Sequence, residues 1–189
     1  GVGIDTLDGG AGNDVYVYDS TAKLVTSNAV IDKISDVSGS ADAIKITGAV
    51  TVASGDILSR IADVEKITAG DNVSGVISLT LNATNLAGTA FNAIDLSGDI
   101  NGVGANVISL TGTTDIKTIT GGAGNDAITI DNNHALTVDG GSGSNDQLTL
   151  TAVGSGQTVY TGTWSNIDVL TTVDKNDISG VTTTISGAL

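Results

Sequence analysis

The chain has 189 residues, of which 21 are acidic and 7 are basic, and its formal net charge at pH 7 is -14. The basic residues are scattered singly, so nucleic acid and anionic lipid are poor partners, and the absence of Cys excludes disulfides and sulfur-ligated metals. No apolar run approaches the ~18 residues of a membrane-spanning helix, so we expect no membrane insertion.

The kinds of residue present favour short strands over helices. Glu65 is the only glutamate, so almost every acidic residue is an aspartate, and 26 residues are glycine. Aspartate and glycine favour turns, because the short aspartate side chain bonds to nearby backbone and glycine tolerates positive φ. Aromatic residues make up 3% of the chain. The composition therefore predicts many short strands around a core of Val, Ile, Leu and Ala.

The first segment, residues 1–20, carries a glycine-rich string. Residues 9–17 read Gly-Gly-Ala-Gly-Asn-Asp-Val-Tyr-Val, and part of the same pattern stands nine positions earlier. A turn followed by alternating apolar residues predicts a loop that leads into a strand.

The second segment, residues 21–63, is less regular. Residues 31–36 and 42–46 alternate in the manner of two strands. Residues 54–63 place Ile57, Leu58 and Ile61 on one side of a helix, so we expect a short helix there. We expect this segment to be irregular.

The third segment, residues 64–173, repeats at a nearly fixed spacing. Residues 121–129 copy the string of residues 9–17, residues 140–148 copy it with one insertion, and residues 101–109 form a worn copy. Asp146 stands 20 residues after Asp126, and a further 20 residues reach Asn166 in an expected loop at 161–166. Short alternating runs lie between the loops. Such a spacing predicts an all-β fold, a right-handed parallel β-roll or β-helix in which each coil stacks on the next. Residues 174–189 are expected to be a terminal strand or tail.

The repeated loops place an aspartate on the same edge of successive coils. Stacked carboxylates repel one another, and backbone carbonyls and carboxylates together are the ligands of a hard divalent cation. A cation shared between two coils would turn the repulsion into cohesion. The alternative is an array of ordinary β-turns without metal.

The strings at 9–17, 121–129 and 140–148 resemble the nonapeptide Gly-Gly-x-Gly-x-Asp-x-hydrophobic-x of RTX (repeat-in-toxin) proteins. The isolated repeats among Thr/Ser-rich strands are most similar to those of RTX-containing bacterial surface-layer proteins. The resemblance implies Ca²⁺ between coils, type I secretion and folding outside the cell. Residues 1–20 would then be the end of an RTX repeat array, and residues 21–63 would be the segment that caps it.

Carried over by position, the resemblance implies two facing half-sites and a third loop. The first half-site would be Gly121, Gly122, Ala123, Gly124 and Asp126; the second Gly140, Gly141, Gly143 and Asp146; the third loop Gly9, Gly10, Gly12 and Asp14. No glycine-rich loop of a preceding coil stands before residues 9–14 in this sequence. The calcium site of that loop would therefore be incomplete, or Asp5 and Asp14 would close the end of the array.

The sequence favours a structural protein over an enzyme. His134 is the only histidine and stands on a predicted turn, where we expect it to be exposed; a single histidine excludes zinc sites built on paired histidines. We expect Trp164 to pack at the end of a coil. The hypothesis is a calcium-dependent structural module of a secreted cell-surface protein that self-associates into a lattice or filament. The alternatives are a ligand-binding or spacer region of a large RTX adhesin, and the C-terminal secretion region of an RTX hydrolase.

Overall fold

The computed structural model describes residues 3–71, 73–101, 104–131, 135–151 and 161–173. His134 and the predicted terminal strand or tail at 174–189 lie outside the described residues. Over the described residues the chain is nearly all β and winds into a parallel β-solenoid of about six turns, as predicted.

The elements follow one another in chain order. They are β1 (Thr6–Leu7), β2 (Val15–Tyr18), α1 (Thr21–Leu24), β3 (Val25–Thr26), β4 (Ala29–Val30), β5 (Lys33–Ser35), β6 (Ala43–Ile46), β7 (Val50–Val52), β8 (Ile61–Ala62), β9 (Lys66–Ala69), β10 (Ile77–Asn82), β11 (Ala93–Asp95), β12 (Val107–Thr111), β13 (Thr118–Thr120), β14 (Ala127–Asp131), β15 (Ala135–Asp139), β16 (Gln147–Thr151), β17 (Thr161–Ser165) and β18 (Val169–Val173).

Three parallel sheets form the faces of the solenoid. One has seven strands in the order β17-β15-β13-β11-β9-β6-β2, and another has six in the order β18-β16-β14-β12-β10-β7. The third has three short strands, β1-β5-β8, which in the described part of the chain all belong to the early coils. A small antiparallel pair, β3 and β4, lies outside these sheets. The cross-section therefore changes from three faces to two along the chain.

The predicted 20-residue register is confirmed in the six-stranded sheet. Val107 pairs with Ala127 and Ala127 pairs with Gln147, a step of 20 residues each time. Earlier coils are longer and less even, since Ile44 pairs with Ile67 and Ile67 pairs with Ile94. Strand β6 pairs directly with β9, so the sheets run without a break from segment 21–63 into segment 64–173. The domain boundaries themselves stay a prediction.

The core is a set of aliphatic columns, as the composition predicts. In the seven-stranded sheet one buried side chain per strand stacks on the next; the column consists of Ile44, Ile67, Ile94, Ile119, Val138 and Trp164. Each fully buried aliphatic side chain contributes about 1.5–3 kcal/mol. Trp164 is buried on the last strand of that sheet, where its larger volume closes the column.

The prediction of a helix at residues 54–63 is wrong. Ile57 is 47% exposed and forms a β-bridge, while Ile61 is buried and pairs with Ile34 in the three-stranded sheet. The Asp56 carboxylate accepts a hydrogen bond from the Ala53 N–H (2.7 Å), which holds a turn in place of a helix. The chain has to turn here because the early coils have a third face.

The helix found in the described residues is α1, a single turn at Thr21–Leu24. It takes the position that a strand occupies in later coils and lies beside the edge of β7. The Thr21 hydroxyl accepts a hydrogen bond from the Thr51 N–H (2.8 Å), and Leu24 is buried in the core. The helix thereby covers a strand edge whose N–H groups would otherwise be unpaired.

Candidate functional site

The repeated loops place their aspartates in a column, one per coil, immediately before the strands. The Asp126 carboxylate accepts a hydrogen bond from the Asn106 N–H (2.7 Å), and Asp146 accepts one from the Asp126 N–H (2.8 Å). Asp168 accepts one from the Asp146 N–H (2.8 Å). We call Asp126, Asp146 and Asp168 the carboxylate ladder. Bonds of this charge-assisted kind contribute about 1.5–3 kcal/mol each.

The ladder brings Asp126 and Asp146 together, as the register predicts. Their two carboxylates differ in the number of oxygens that accept a hydrogen bond. The second oxygen of Asp126 accepts from the Gly122 N–H (2.6 Å), so both of its oxygens have donors. The Oδ2 atom of Asp146 is buried and has no hydrogen-bond donor in the described part of the chain. Burial raises the pKa of both carboxyls, while backbone N–H groups work against the shift; Asp168 adds repulsion at Asp146.

Glycines in these loops allow the coils to approach closely. A Cβ atom placed on Gly121, Gly124 or Gly143 would fall far inside contact distance of a carbonyl oxygen in the neighbouring coil. Gly141 in addition has a φ of 99°, in the left-handed region that favours glycine. Ala123 donates its N–H to the Asp99 carbonyl (2.8 Å). The predicted half-sites at 121–126 and 140–146 are thus stacked loops, and calcium between them stays a prediction.

Sequence reasoning assigned the next ladder position after Asp146 to Asn166, but Asp168 occupies it. Residues 161–165, expected to lie in a loop, form β17 and move the turn forward. Asn166 has a positive φ of 52° and donates its side-chain N–H to Asp139 (2.7 Å). A fixed count of 20 residues therefore misses Asp168.

The loop at residues 9–14 stacks on the loop at residues 36–42, one coil further along the chain. The Gly12 N–H donates to the Ser38 carbonyl (3.1 Å), and the Ser38 hydroxyl donates to the Gly10 carbonyl (2.9 Å). Gly10 and Gly12 have φ values of 87° and 126°. The partner of the first glycine-rich loop is therefore present downstream.

These two loops gather three aspartates. Asp14, Asp36 and Asp42 each offer a carboxylate oxygen, and these oxygens lie within 4.8 Å of one another. We call them the acidic cluster. Asp36 and Asp42 are 0% and 1% exposed, and Asp14 is half-buried. Burial raises the pKa of Asp14, and the charges of Asp36 and Asp42 raise it further.

Sequence reasoning found Asp14 and missed the other two. Asp42 stands directly before β6, as Asp14 stands directly before β2, and these strands pair in register. That equivalence was the available signal for Asp42. Asp36 follows β5, in a position without a counterpart in the repeated strings. Asp5, expected beside Asp14, lies instead at the start of β1, where its N–H donates to Asp32 (3.1 Å).

Among the residues that the structure describes, basic side chains do not neutralise these carboxylates. In the described ranges, no Lys or Arg nitrogen lies within 4.0 Å of a carboxylate oxygen of the acidic cluster or of the carboxylate ladder. An ion pair that does form, between Lys23 and Asp19 (2.6 Å), is on the surface. An oxygen-only set of donors with excess negative charge fits a hard divalent cation such as Ca²⁺.

No protein-family model, curated protein or solved structure matches the chain. Among the described residues, no helix has the length and apolar character needed to cross a membrane.

Proposed function

We propose that this chain is a calcium-dependent structural module of a secreted bacterial surface protein, without enzymatic activity of its own. One observation supports the proposal: buried carboxylates are gathered in stacked Gly/Asp loops and have no basic partners among the described residues. The resemblance of these loops to RTX nonapeptides adds the identity of the ion and the route of secretion.

Calcium would act on folding. The unfolded chain carries a net charge of -14 and has no preformed site, so the free energy of ion binding becomes free energy of folding. Asp126 and Asp146, with the carbonyl groups of their loops, would hold an ion between two coils. A chain that is unfolded at low calcium and folded at high calcium suits export followed by assembly on the cell surface.

Far-UV circular dichroism during a calcium titration tests the proposal. After removal of calcium by a chelator, the chain should give a mostly disordered spectrum that becomes β-rich as calcium is added. The double variant Asp126→Ala plus Asp146→Ala should lose most of this response. The double variant Asp71→Ala plus Asp115→Ala is a matched control, because it removes the same charge from exposed residues outside the glycine-rich loops. A β-rich spectrum in chelator, unchanged by calcium, would contradict the proposal.

Self-association is the second part of the proposed function. Electron microscopy of the purified chain should show sheets or filaments once calcium is added. The control variant should assemble as the parent does, and the Asp126/Asp146 double variant should not. Monodisperse particles at saturating calcium would refute assembly while leaving calcium-dependent folding intact.

A further inference from the structure

We infer that Asp14, Asp36 and Asp42 form a divalent-cation site that fastens the first coil of the solenoid to the second. The inference rests on the proposed function for the identity of the ion, Ca²⁺, but it places that ion away from the loops at 121–146. It also assigns two ligands, Asp36 and Asp42, that lie outside the nonapeptide strings.

Unsatisfied oxygens are the first reason. The Oδ2 atoms of Asp14 and Asp42 are both buried, and neither has a hydrogen-bond donor among the described residues. A carboxylate oxygen that is shielded from water and has neither a donor nor a counter-ion is costly when the group is ionised. Three carboxylates within 4.8 Å of one another multiply this cost, because each repels the others. A cation among them removes both penalties.

The remaining bonds of the acidic cluster hold its carboxylates in position. Asp42 accepts the Asp14 N–H through Oδ1 (2.7 Å), which leaves Oδ2 available to an ion. Asp36 accepts the Tyr16 hydroxyl through Oδ2 (2.8 Å) and the Ser38 N–H through Oδ1 (3.4 Å). Each carboxylate oxygen has two lone pairs, so Asp36 can hold these donors and still bind a metal. Outer hydrogen bonds of this kind orient the ligands of a metal site.

Glycines leave room beside the carboxylates and add a carbonyl oxygen. A Cβ atom on Gly39 would lie 2.5 Å from the Gly12 carbonyl oxygen and 2.6 Å from the Asp42 Oδ1 atom. Gly39 therefore keeps open a space lined by a carbonyl and a carboxylate from different coils. With Asp14 and Asp36 this gives oxygen donors of the types that Ca²⁺ prefers, and water would complete the usual ~6–8 ligands.

The site has a direct mechanical consequence. Asp14 and Gly12 belong to the coil of β1 and β2, whereas Asp36 and Asp42 belong to the coil of β5 and β6. An ion held by both coils resists their separation at the end of the solenoid. Without the ion, the same carboxylates push the first coil away.

Terbium luminescence tests the site on the full chain. Tb³⁺ replaces Ca²⁺ at oxygen-ligand sites and emits when a nearby aromatic ring transfers energy to it. Tyr16, whose hydroxyl is bonded to Asp36, is placed to do so. We expect bright tyrosine-sensitised emission that Ca²⁺ competes away. Asp36→Asn and Asp42→Asn should each weaken terbium affinity about tenfold or more, and Asp71→Asn should not.

Two further variants separate this inference from the proposed function and from simple misfolding. In the Asp126→Ala plus Asp146→Ala variant, the tyrosine-sensitised signal should persist in proportion to the β-structure that the variant retains, because none of the three ligands is changed. Tyr16→Phe keeps every carboxylate, so its emission should fall while calorimetry still detects calcium at the site. Parent-like affinity and emission in Asp36→Asn and Asp42→Asn would overturn the inference and leave the proposed function standing. If calcium did not change the circular dichroism spectrum of the parent chain while its terbium emission stayed intact, the proposed function would fall and the inference would stand.

Discussion

Gly124 is a position at which the stacking of coils can be tested with one methyl group. A Cβ atom there would lie well inside 3.0 Å of the Gly104 carbonyl oxygen and 3.1 Å from its carbonyl carbon. Both atoms are backbone of the neighbouring coil, so they cannot rotate away as a side chain would. The substitution Gly124→Ala therefore forces the two coils apart.

The size of the effect follows from the geometry. A carbon and a carbonyl oxygen approach to roughly 3.3 Å, so the coils would have to separate by up to about 1 Å from a normal strand spacing of about 4.8 Å. That movement stretches the adjacent bond from the Ala127 N–H to the Asn106 carbonyl (2.9 Å). Overpacking of this kind costs about 1–3 kcal/mol, and the lower backbone entropy of alanine offsets about 0.4–1 kcal/mol. The net loss should be at most about 2.6 kcal/mol, and about 1.3 kcal/mol at the midpoints of these two ranges.

Urea unfolding in saturating calcium, followed by circular dichroism, measures this loss. The matched control is Gly55→Ala, because no atom lies within 4 Å of a Cβ on Gly55 and its φ is not positive. The control should be neutral or stabilised by up to about 1 kcal/mol. Equal unfolding midpoints for the two variants would refute the argument that close approach of the backbone requires glycine in these loops.

Three further predictions concern the carboxylates. Asp168 is exposed, so Asp168→Ala, which removes the acceptor of the Asp146 N–H, should cost about 0.5–1.5 kcal/mol in urea unfolding. A loss no larger than that of an exposed aspartate that accepts no backbone N–H would contradict the ladder. Because burial raises the pKa of Asp126 and Asp146, the folded chain binds protons more readily than the unfolded one. In chelator, β-structure measured by circular dichroism should therefore increase as the pH falls from neutral towards the ordinary aspartate pKa, and a decrease would be contrary evidence. Burial and the bond to Asp36 raise the pKa of Tyr16 from 10.0 to about 12, so the stability from this pair is complete below pH 10 and is lost as the pH rises towards 12. The absorbance difference between the parent and Tyr16→Phe should show this titration, and Asp36→Asn should move it to lower pH; an unmoved titration would exclude the bond as a cause.

The sequence predicts the later coils well because they are regular. Equal steps from Val107 to Ala127 and from Ala127 to Gln147 fix the register before any side-chain contact is known. The early coils resist prediction because a third face, built from strands of two or three residues, absorbs a variable length of chain. Strands as short as β8 carry too little periodicity to be distinguished from a turn or from the helix expected at 54–63.

One part of the candidate site could be predicted from the sequence and another part could not. The proximity of Asp126 and Asp146 follows from the register, so the sequence predicts it. The acidic cluster depends on Asp36, which becomes a neighbour of Asp14 only because Tyr16 and the turn after β5 bring it inward. Whether a carboxylate faces a backbone N–H or an ion depends on distances of a few tenths of an ångström, which residue spacing does not encode.

The even spacing of β12, β14 and β16 has a consequence for how such a protein can change in length. Each of these strands meets its neighbours in the same alignment, so a duplicate of residues 107–126 would fit between existing windings without altering their contacts. Every such duplication would lengthen the rod by about 4.8 Å and add one more aspartate to the row. The early coils, which have the third sheet, differ in length, so none of them could be duplicated in the same way. Lengthening by duplication is therefore confined to the later coils with two sheets.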